Sequence, residues 1–295
     1  MTTVYVNGKF LAQRITGVQR SAWQWLLALD ELLAEEEPPN ESWVLLHPAG
    51  VVCPALRAIR CLAVGRARPR SLHWWEQWSL PIAARGELLV TLSGSAPWLA
   101  RAQVVTMHDA AVFDHPQAYA PTFRWWYRHL FRHLARRARR VLTVSAFSRQ
   151  RLLATLPLAE HRVAVVPNGS DHLAGVRADP QTLARRGLQP GRFVLVVASA
   201  NPTKNLSRLV EAFGRLPAEL GLALVIVGGS DDKVFATHSS AGDGHAVRRT
   251  GPLDDAELKA LYGAALLLAV HSIYEGFGLT GMEAMDCGCP VLAAR

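Results

Sequence analysis

The chain has 295 residues, half of them hydrophobic, and a formal net charge of +8 supplied almost wholly by arginine, since Lys9, Lys204, Lys233 and Lys259 are its lysines. Such a chain suits one large or two medium domains with real cores. Met1 to Phe10 carries no apolar signal-peptide core and no apolar run is long enough to span a bilayer, so a cytoplasmic protein is expected. The four cysteines do not resemble a disulfide framework, and reduced, buried thiols are expected: Cys53 and Cys61 are too far apart for a zinc knuckle, and Cys287 and Cys289 belong to a motif near the end. No metal site is expected, because Asp231-Asp232 is too little for one and the histidines are scattered.

Short apolar runs alternate with helical patterns, which predicts parallel sheets covered on both faces. Val4–Val6 is the first strand. Ile15-Thr16-Gly17-Val18-Gln19-Arg20 then opens a helix over about Gly17 to Leu33, with Val18, Trp25, Leu26, Leu29, Leu32 and Leu33 on its apolar side. Glycine lets a loop pass close to a ligand and a helix start offers free amides, although the same segment also reads as a plain N-cap. Trp43–Leu46, Leu88–Leu92 and Val104–Met107 are further strands. The last leads into His108-Asp109, a pair at a strand end that reads as acid–base machinery or as a hydrogen-bonded turn. No acidic residue lies between Asp114 and Glu160. Within that span, Thr122 to Arg140 has helical periodicity: Trp126, Leu130, Phe131 and Leu134 share one side, and Arg124, Arg128, Arg132 and Arg139 spread over another. Such a helix either lies on an anionic membrane surface or buries its apolar face as core. Nucleic acid is a weaker reading, because no recognisable module accompanies the charge.

Val141–Val144 and Val163–Val166 are strands flanking a helix over about Ala146 to Thr155, and Asn168-Gly169 is a turn. The polar stretch from Asp171 to Arg192 predicts a boundary, with one domain over residues 1–175 and another over 190–295. Phe193–Val197, Leu222–Val227 and Ala265–Val270 begin a second strand series, which Val291–Ala293 extends; helices are expected over about Leu206 to Arg215 and Asp254 to Gly263. Lys204 stands between the first of these strands and a helix start, where an ammonium can neutralise a leaving diphosphate or be an ordinary surface lysine. Glu275 and Glu283 are separated by seven residues around a glycine-bracketed turn that opens a helix. Strand, glycine loop and helix start make an anion site, and the two carboxylates can grip sugar or ribose hydroxyls beside it. The plainer reading is a buried strand–turn–helix.

The whole run from His271 to Val291, ending Cys287-Gly288-Cys289-Pro290-Val291, resembles the donor-site motif of retaining glycosyltransferases of family 4, which have the GT-B fold. Asn201-Pro202-Thr203-Lys204-Asn205 resembles the family's Pro-Arg-Lys-Asn loop. Thr16-Gly17-Val18-Gln19-Arg20 resembles the signature of one branch, and Trp75-Glu76-Gln77-Trp78-Ser79-Leu80-Pro81 another element of that branch. Thr106-Met107-His108-Asp109 resembles the family's His-Asp loop, while the turns at Ser145 and at Pro167-Asn168-Gly169-Ser170-Asp171 match elements of its cleft wall. The resemblance implies an α/β GT-B protein of two Rossmann-like parallel-sheet domains facing across a cleft. The second lacks its C-terminal part, because family members continue where this chain stops.

By the same resemblance the catalytic residues are His108, Glu275 and Lys204. His108 contacts the transferred sugar and stabilises the transition state, Glu275 sits near that sugar, and Lys204 neutralises the phosphate. Donor binding falls to Gly17, Lys204, Gly276, Phe277, Gly278, Leu279, Thr280 and Glu283, with Glu283 on the ribose hydroxyls and the loop amides on the diphosphate. Gly228-Gly229 and Gly251-Pro252-Leu253 are expected near the base. Glu76 lines the acceptor side or acts as a structural cap. Thr203 and Ala198 depart from the family by standing where arginines are common, and Arg14 and Arg20 are the sources of replacement charge near the N-terminus. The implied activity is retaining transfer of a mannose-like sugar from a nucleoside-diphosphate donor, guanosine-linked by this reading, to a glycan or lipid-linked acceptor in cell-envelope polysaccharide biosynthesis. It needs no metal or cofactor beyond that co-substrate, and peripheral membrane contact runs through Thr122 to Arg140. Two rivals share the motifs. One is a truncated, non-catalytic nucleotide-sugar binder or a half-enzyme needing a partner chain. The other is a GT-B epimerase, against which Thr16–Arg20 and Glu275–Leu279 argue.

Overall fold

A computed structural model describes residues 2–35, 41–66, 72–229 and 247–294. The chain divides into two compact units, Met1–Ala110 with Trp125–Gly169, and Ala111–Arg124 with Ser170–Arg295. The first holds a wholly parallel sheet of β1 (Thr2–Asn7), β2 (Glu41–Ala49), β3 (Arg60–Arg66), β4 (Leu88–Thr91), β5 (Gln103–Thr106), β6 (Arg140–Thr143) and β7 (Val163–Val165), in the order β3-β2-β1-β4-β5-β6-β7. The second holds β8 (Phe193–Val197), β9 (Ala223–Val227), β10 (Val247–Gly251), β11 (Leu267–Val270) and β12 (Val291–Ala293), also parallel, in the order β10-β9-β8-β11-β12.

Side chains of a strand alternate between sheet faces, and here both faces are covered. Val4, Val6, Leu45 and Val90 pack on one side of the first sheet, with Ala22 and Leu26 of α1 (Gly17–Glu35). Val44, Leu46 and Leu89 pack on the other, with Trp75, Leu80 and Ala84. In the second sheet Phe193 and Leu195 face one core, and Val194 and Val196 the other. Most of the apolar runs that predict strands are these doubly buried ones; β7 and β12 are runs that stay largely exposed. The strands that no run announces, β3 and β10, each form one edge of their sheet, as β7 and β12 form the other, and carry the exposed arginines Arg60, Arg248 and Arg249.

The segment Leu72–Trp74 (α2), Trp75–Ser79 and Leu80–Ala84 (α3) is helical throughout, with a π turn in its middle, and Arg85 closes it in the left-handed region at φ 51°. The short helix Ala111–Asp114 (α4) and the long helix Pro121–Arg137 (α5) follow. On α5 the predicted apolar side is core: Leu130, Phe131 and Leu134 are buried. Ala146–Thr155 (α6) has the predicted bounds and is capped by Ser145 Oγ, which accepts from the Ser148 N–H at 3.0 Å. Thr182–Arg185 (α7), Leu206–Phe213 (α8), Asp255–Ala264 (α9) and Leu279–Asp286 (α10) complete the helices used below.

One expectation is overturned. Cys53 and Cys61 form a disulfide, with Cα atoms 6.7 Å apart. The connection between the parallel neighbours β2 and β3 must double back, and this lays Cys53 beside the second residue of β3. Cys287 and Cys289 are free thiols, as expected.

Candidate functional site

In an open parallel sheet, ligands bind beyond the carboxyl ends of the strands, where the strand order reverses. In the second sheet that point lies between β8 and β11. The loop after β8 carries Lys204 and the loop after β11 carries Glu275, so the topology brings the two together. Lys204 Nζ donates to Glu275 Oε2 at 2.7 Å, and both side chains are partly exposed. A backbone bond from Ile273 N to Thr203 O at 2.8 Å stitches the same loops. Asn201 caps the one-turn helix Pro202–Lys204 through the Thr203 N–H, and Asn205 then takes a left-handed φ of 53°, turning the chain into α8.

Gly276, Phe277 and Gly278 form the turn that leads into α10. Gly278 has φ 84°, and no side chain caps the helix that Leu279 and Thr280 begin. The Gly281 N–H bonds back to the Gly278 carbonyl at 2.9 Å, so the amides that face outward from this turn are those of Leu279 and Thr280. Gly281 faces Val270 of β11 and Val291 of β12, which a Cβ there would meet at 4.0 and 3.9 Å, an ordinary packing distance.

Glu283 is on α10 but does not join Glu275. It is buried: Tyr262 of α9 donates its hydroxyl to Oε2 at 2.9 Å, and His172 Nε2 lies 3.4 Å from Oε1. Burial, then the adjacent Glu283 charge, pushes the Tyr262 hydroxyl pKa upward, which keeps it a donor. Sequence reasoning missed Tyr262 and His172. A tyrosine within an apolar helix pattern reads as core, and His172 sits in a polar linker; neither has a spacing that points to Glu283.

Gly228 ends β9 at φ 136°, and a Cβ there would stand 2.0 Å from the Ala198 carbonyl oxygen, so glycine alone lets the ends of β8 and β9 approach. Gly251 ends β10, and Asp254 caps α9 by accepting the Glu257 N–H at 2.8 Å.

The remaining candidates lie in the first unit. Gly17 opens α1 and is exposed, with Thr16 Oγ1 bonded to Gln19 beside it. His108 follows β5; its Nε2 lies 3.0 Å from the Leu92 carbonyl. Burial lowers its pKa below the ordinary imidazole value, with the bond to Leu92 offsetting part of that. Glu76 is fully buried, paired with Lys9 at 2.6 Å. Among the described residues no group of three or more His, Cys, Asp or Glu side chains could hold a metal ion, and no helix is long and apolar enough to cross a membrane. Asp231 and Asp232 lie outside the described residues.

Two family models match the chain. One described as Glycosyltransferase Family 4 covers residues 35–172, and one described as Glycosyl transferases group 1 covers residues 184–295. The chain is 30% identical over 207 residues to the MMP alpha-(1->4)-mannosyltransferase of Mycolicibacterium hassiacum, which is 65% of this chain and 48% of that protein. It is also 30% identical over 201 residues to the O-antigen chain mannosyltransferase B of Escherichia coli, 65% of this chain and 52% of that one. It thus spans about half the length of these curated relatives. The sucrose-phosphate synthase structure from Thermosynechococcus elongatus aligns with a TM-score of 0.70 at 18% identity, over 99% of this chain and 81% of that one.

Proposed function

Because the chain belongs to glycosyltransferase family 4 and has the GT-B fold, we propose that it transfers a sugar from a nucleoside-diphosphate donor to a glycan or lipid-linked acceptor in polysaccharide biosynthesis. The observation that carries the reading is Lys204 beside Glu275 at the switch point of the second sheet, next to the uncapped start of α10. Departure of a diphosphate creates negative charge and leaves oxocarbenium character on the sugar. An ammonium and fixed amides aimed at that charge stabilise the transition state more than the ground state. Without donor, Lys204 is neutralised by Glu275; a bound diphosphate draws the ammonium away and leaves the carboxylate beside the sugar. Glu283, bonded by the Tyr262 hydroxyl on one oxygen with His172 beside the other, is read as the acceptor for ribose hydroxyls.

Retention of configuration, a mannose-like sugar and a guanosine-linked donor complete the proposal. The mannosyltransferase names of the relatives support the sugar. The reaction is read as metal-independent, at the cytoplasmic face of the membrane. The test is thermal unfolding with guanosine, uridine and adenosine diphosphates. A ligand at a hundred times its dissociation constant adds about 2.7 kcal/mol, a shift of several degrees for a chain this size. One nucleotide should stabilise the wild type, and Lys204→Ala and Glu283→Ala should lose the shift. If a folded wild type responds to none, the donor-site reading fails.

Peripheral attachment to an anionic membrane surface is part of the same proposal. Its support is the outer side of the first unit. Trp74, Trp78 and Ile82 stand 65%, 52% and 74% exposed at four-residue steps, and His73 packs on Trp126 of α5, whose Trp125, Arg136 and Arg137 are also exposed. Flotation with vesicles containing anionic lipid should carry the wild type up and leave a Trp74→Ser/Trp78→Ser variant behind. Equal flotation of both would remove this surface from the reading.

A further inference from the structure

The Trp75-Glu76-Gln77-Trp78 segment leaves its role open in the sequence, and its geometry supplies one. It forms the π turn between α2 and α3. π turns are rare and recur at functional sites, because the inserted residue re-aims its neighbours. Here the re-aimed pair is Glu76 and Gln77, and both reach the stretch that follows β4.

Glu76 accepts from Ser95 Oγ at 2.9 and 3.0 Å, from Lys9 Nζ at 2.6 Å and from Asn7 Nδ2 at 3.1 Å. Lys9 also donates to Ser95 Oγ at 2.9 Å. The Ser95 side chain bonds the Tyr127 hydroxyl as well, whose pKa is pushed up to about 12 by burial first and by the Glu76 charge second. Gln77 takes the next residues: its Nε2 donates to the Ala96 carbonyl at 3.2 Å, and its Oε1 accepts the Trp98 N–H at 2.8 Å. Two adjacent side chains thus hold one short stretch: Glu76 takes the Ser95 hydroxyl on both its oxygens, and Gln77 bonds Ala96 and Trp98.

That stretch begins at Leu92, whose carbonyl meets His108 Nε2 at 3.0 Å. A carbonyl can only accept, so Nε2 carries the hydrogen and Nδ1 is the ring's acceptor. Between Leu92 and Ser95, Gly94 turns at φ 76°, and its Cβ direction points at the His108 ring, 3.8 Å away. The held stretch therefore lies directly against the imidazole.

We propose that Glu76 and Gln77 are positioning residues for His108. They fix the Leu92–Trp98 stretch so that the Leu92 carbonyl locks the imidazole as the Nε2–H tautomer, with Nδ1 presented as a hydrogen-bond acceptor to a hydroxyl of the bound sugar. The sugar contact rests on the reading of His108 given above; the tautomer lock stands on the geometry of the first unit alone.

The test uses the full chain with 15N-labelled histidine, with His108→Asn to assign the ring. Gln77→Ala cuts two of the holding bonds and leaves the buried Lys9–Glu76 pair intact. A Lys9→Met/Glu76→Gln double variant removes that pair without leaving a lone buried charge. In the wild type the His108 nitrogens should be well separated, with Nε2 protonated. In both variants they should move toward an exchange-averaged value, with turnover of a nucleotide-sugar donor falling roughly 10- to 100-fold in kcat and donor KM changing less. A wild-type Nδ1–H tautomer, or an unchanged His108 signal in folded Gln77→Ala, overturns the proposal. A signal that averages while kcat holds leaves the link to His108 standing and removes the sugar contact.

Discussion

Asp30 shows how one side chain can hold a connection that has no regular structure. It is buried on α1, and its carboxylate accepts from the N–H groups of Arg57, Ala58 and Ile59 at 2.7, 2.9 and 2.8 Å. Burial alone would raise its pKa, but the three backbone donors outweigh it and the result lies below the ordinary 3.8. A depressed folded-state value means that this contribution is fully present above the unfolded value and is lost as pH falls through the folded one. Asp30→Ala should therefore destabilise the protein at pH 7 by about 1–3 kcal/mol. The gap from wild type should narrow below about pH 4. Denaturant unfolding across pH checks both statements. The candidate site was legible at this scale only where a residue type is unusual at its position. Lys204 is one of few lysines and stands at a strand end, and Glu275 sits beside a glycine turn, so both are visible in the sequence and the structure pairs them. Lys9, equally rare, stands two residues beyond β1 and was passed over, because its partner Glu76 is 67 positions away and no local spacing links them.

At the scale of elements, what the sequence conceals follows from burial. Ten strands were legible because each carries a short apolar run, enclosed in the inner strands and largely exposed in β7 and β12. β3 and β10 were not, because arginines bracket the one (Arg60, Arg66) and fill the other (Arg248, Arg249), so neither reads as an apolar run. The helix through Trp75 was hidden for a different reason: a π turn breaks the 3.6-residue period that would reveal it. The disulfide between the β2–β3 connection and β3 was hidden because contact between residues 53 and 61 depends on how that connection folds. Closing so short a loop removes about 2–3 kcal/mol of unfolded-state entropy. Reduction should lower the unfolding midpoint by several degrees. Cys53→Ser should reproduce the loss and make the midpoint indifferent to reductant. The reduced form is the one a reducing compartment maintains, so nucleotide binding is best measured in both. The close approach of β8 and β9 gives a sharper test. Gly228→Ala sets a Cβ against the Ala198 carbonyl in a left-handed backbone, and should cost roughly 2–4 kcal/mol. The loop that carries Lys204 begins at that carbonyl, so nucleotide stabilisation should fall with it.

On the scale of the molecule the two sheets repeat one plan: the first strand of each lies inside, the next two extend one side, and the rest extend the other. Strand–helix alternation made that plan legible, since parallel neighbours need a crossover and the crossovers are helical or loop-rich. The plan also governs how the chain comes to be folded. β1 gains β2 early but waits for β4, and β8 gains β9 but waits for β11. During synthesis each central strand thus spends time with one edge open while two outer strands and their connections are made. Parallel pairing also requires a long loop to close before any contact rewards it, so refolding from denaturant should be slow for the chain's size. Val194, Leu195 and Val196 would be exposed in that interval, and a half-built second sheet is the species most prone to pair with a neighbour's open edge. Expression at lower temperature or with a holdase should therefore raise yield mainly by protecting β8 until β11 arrives.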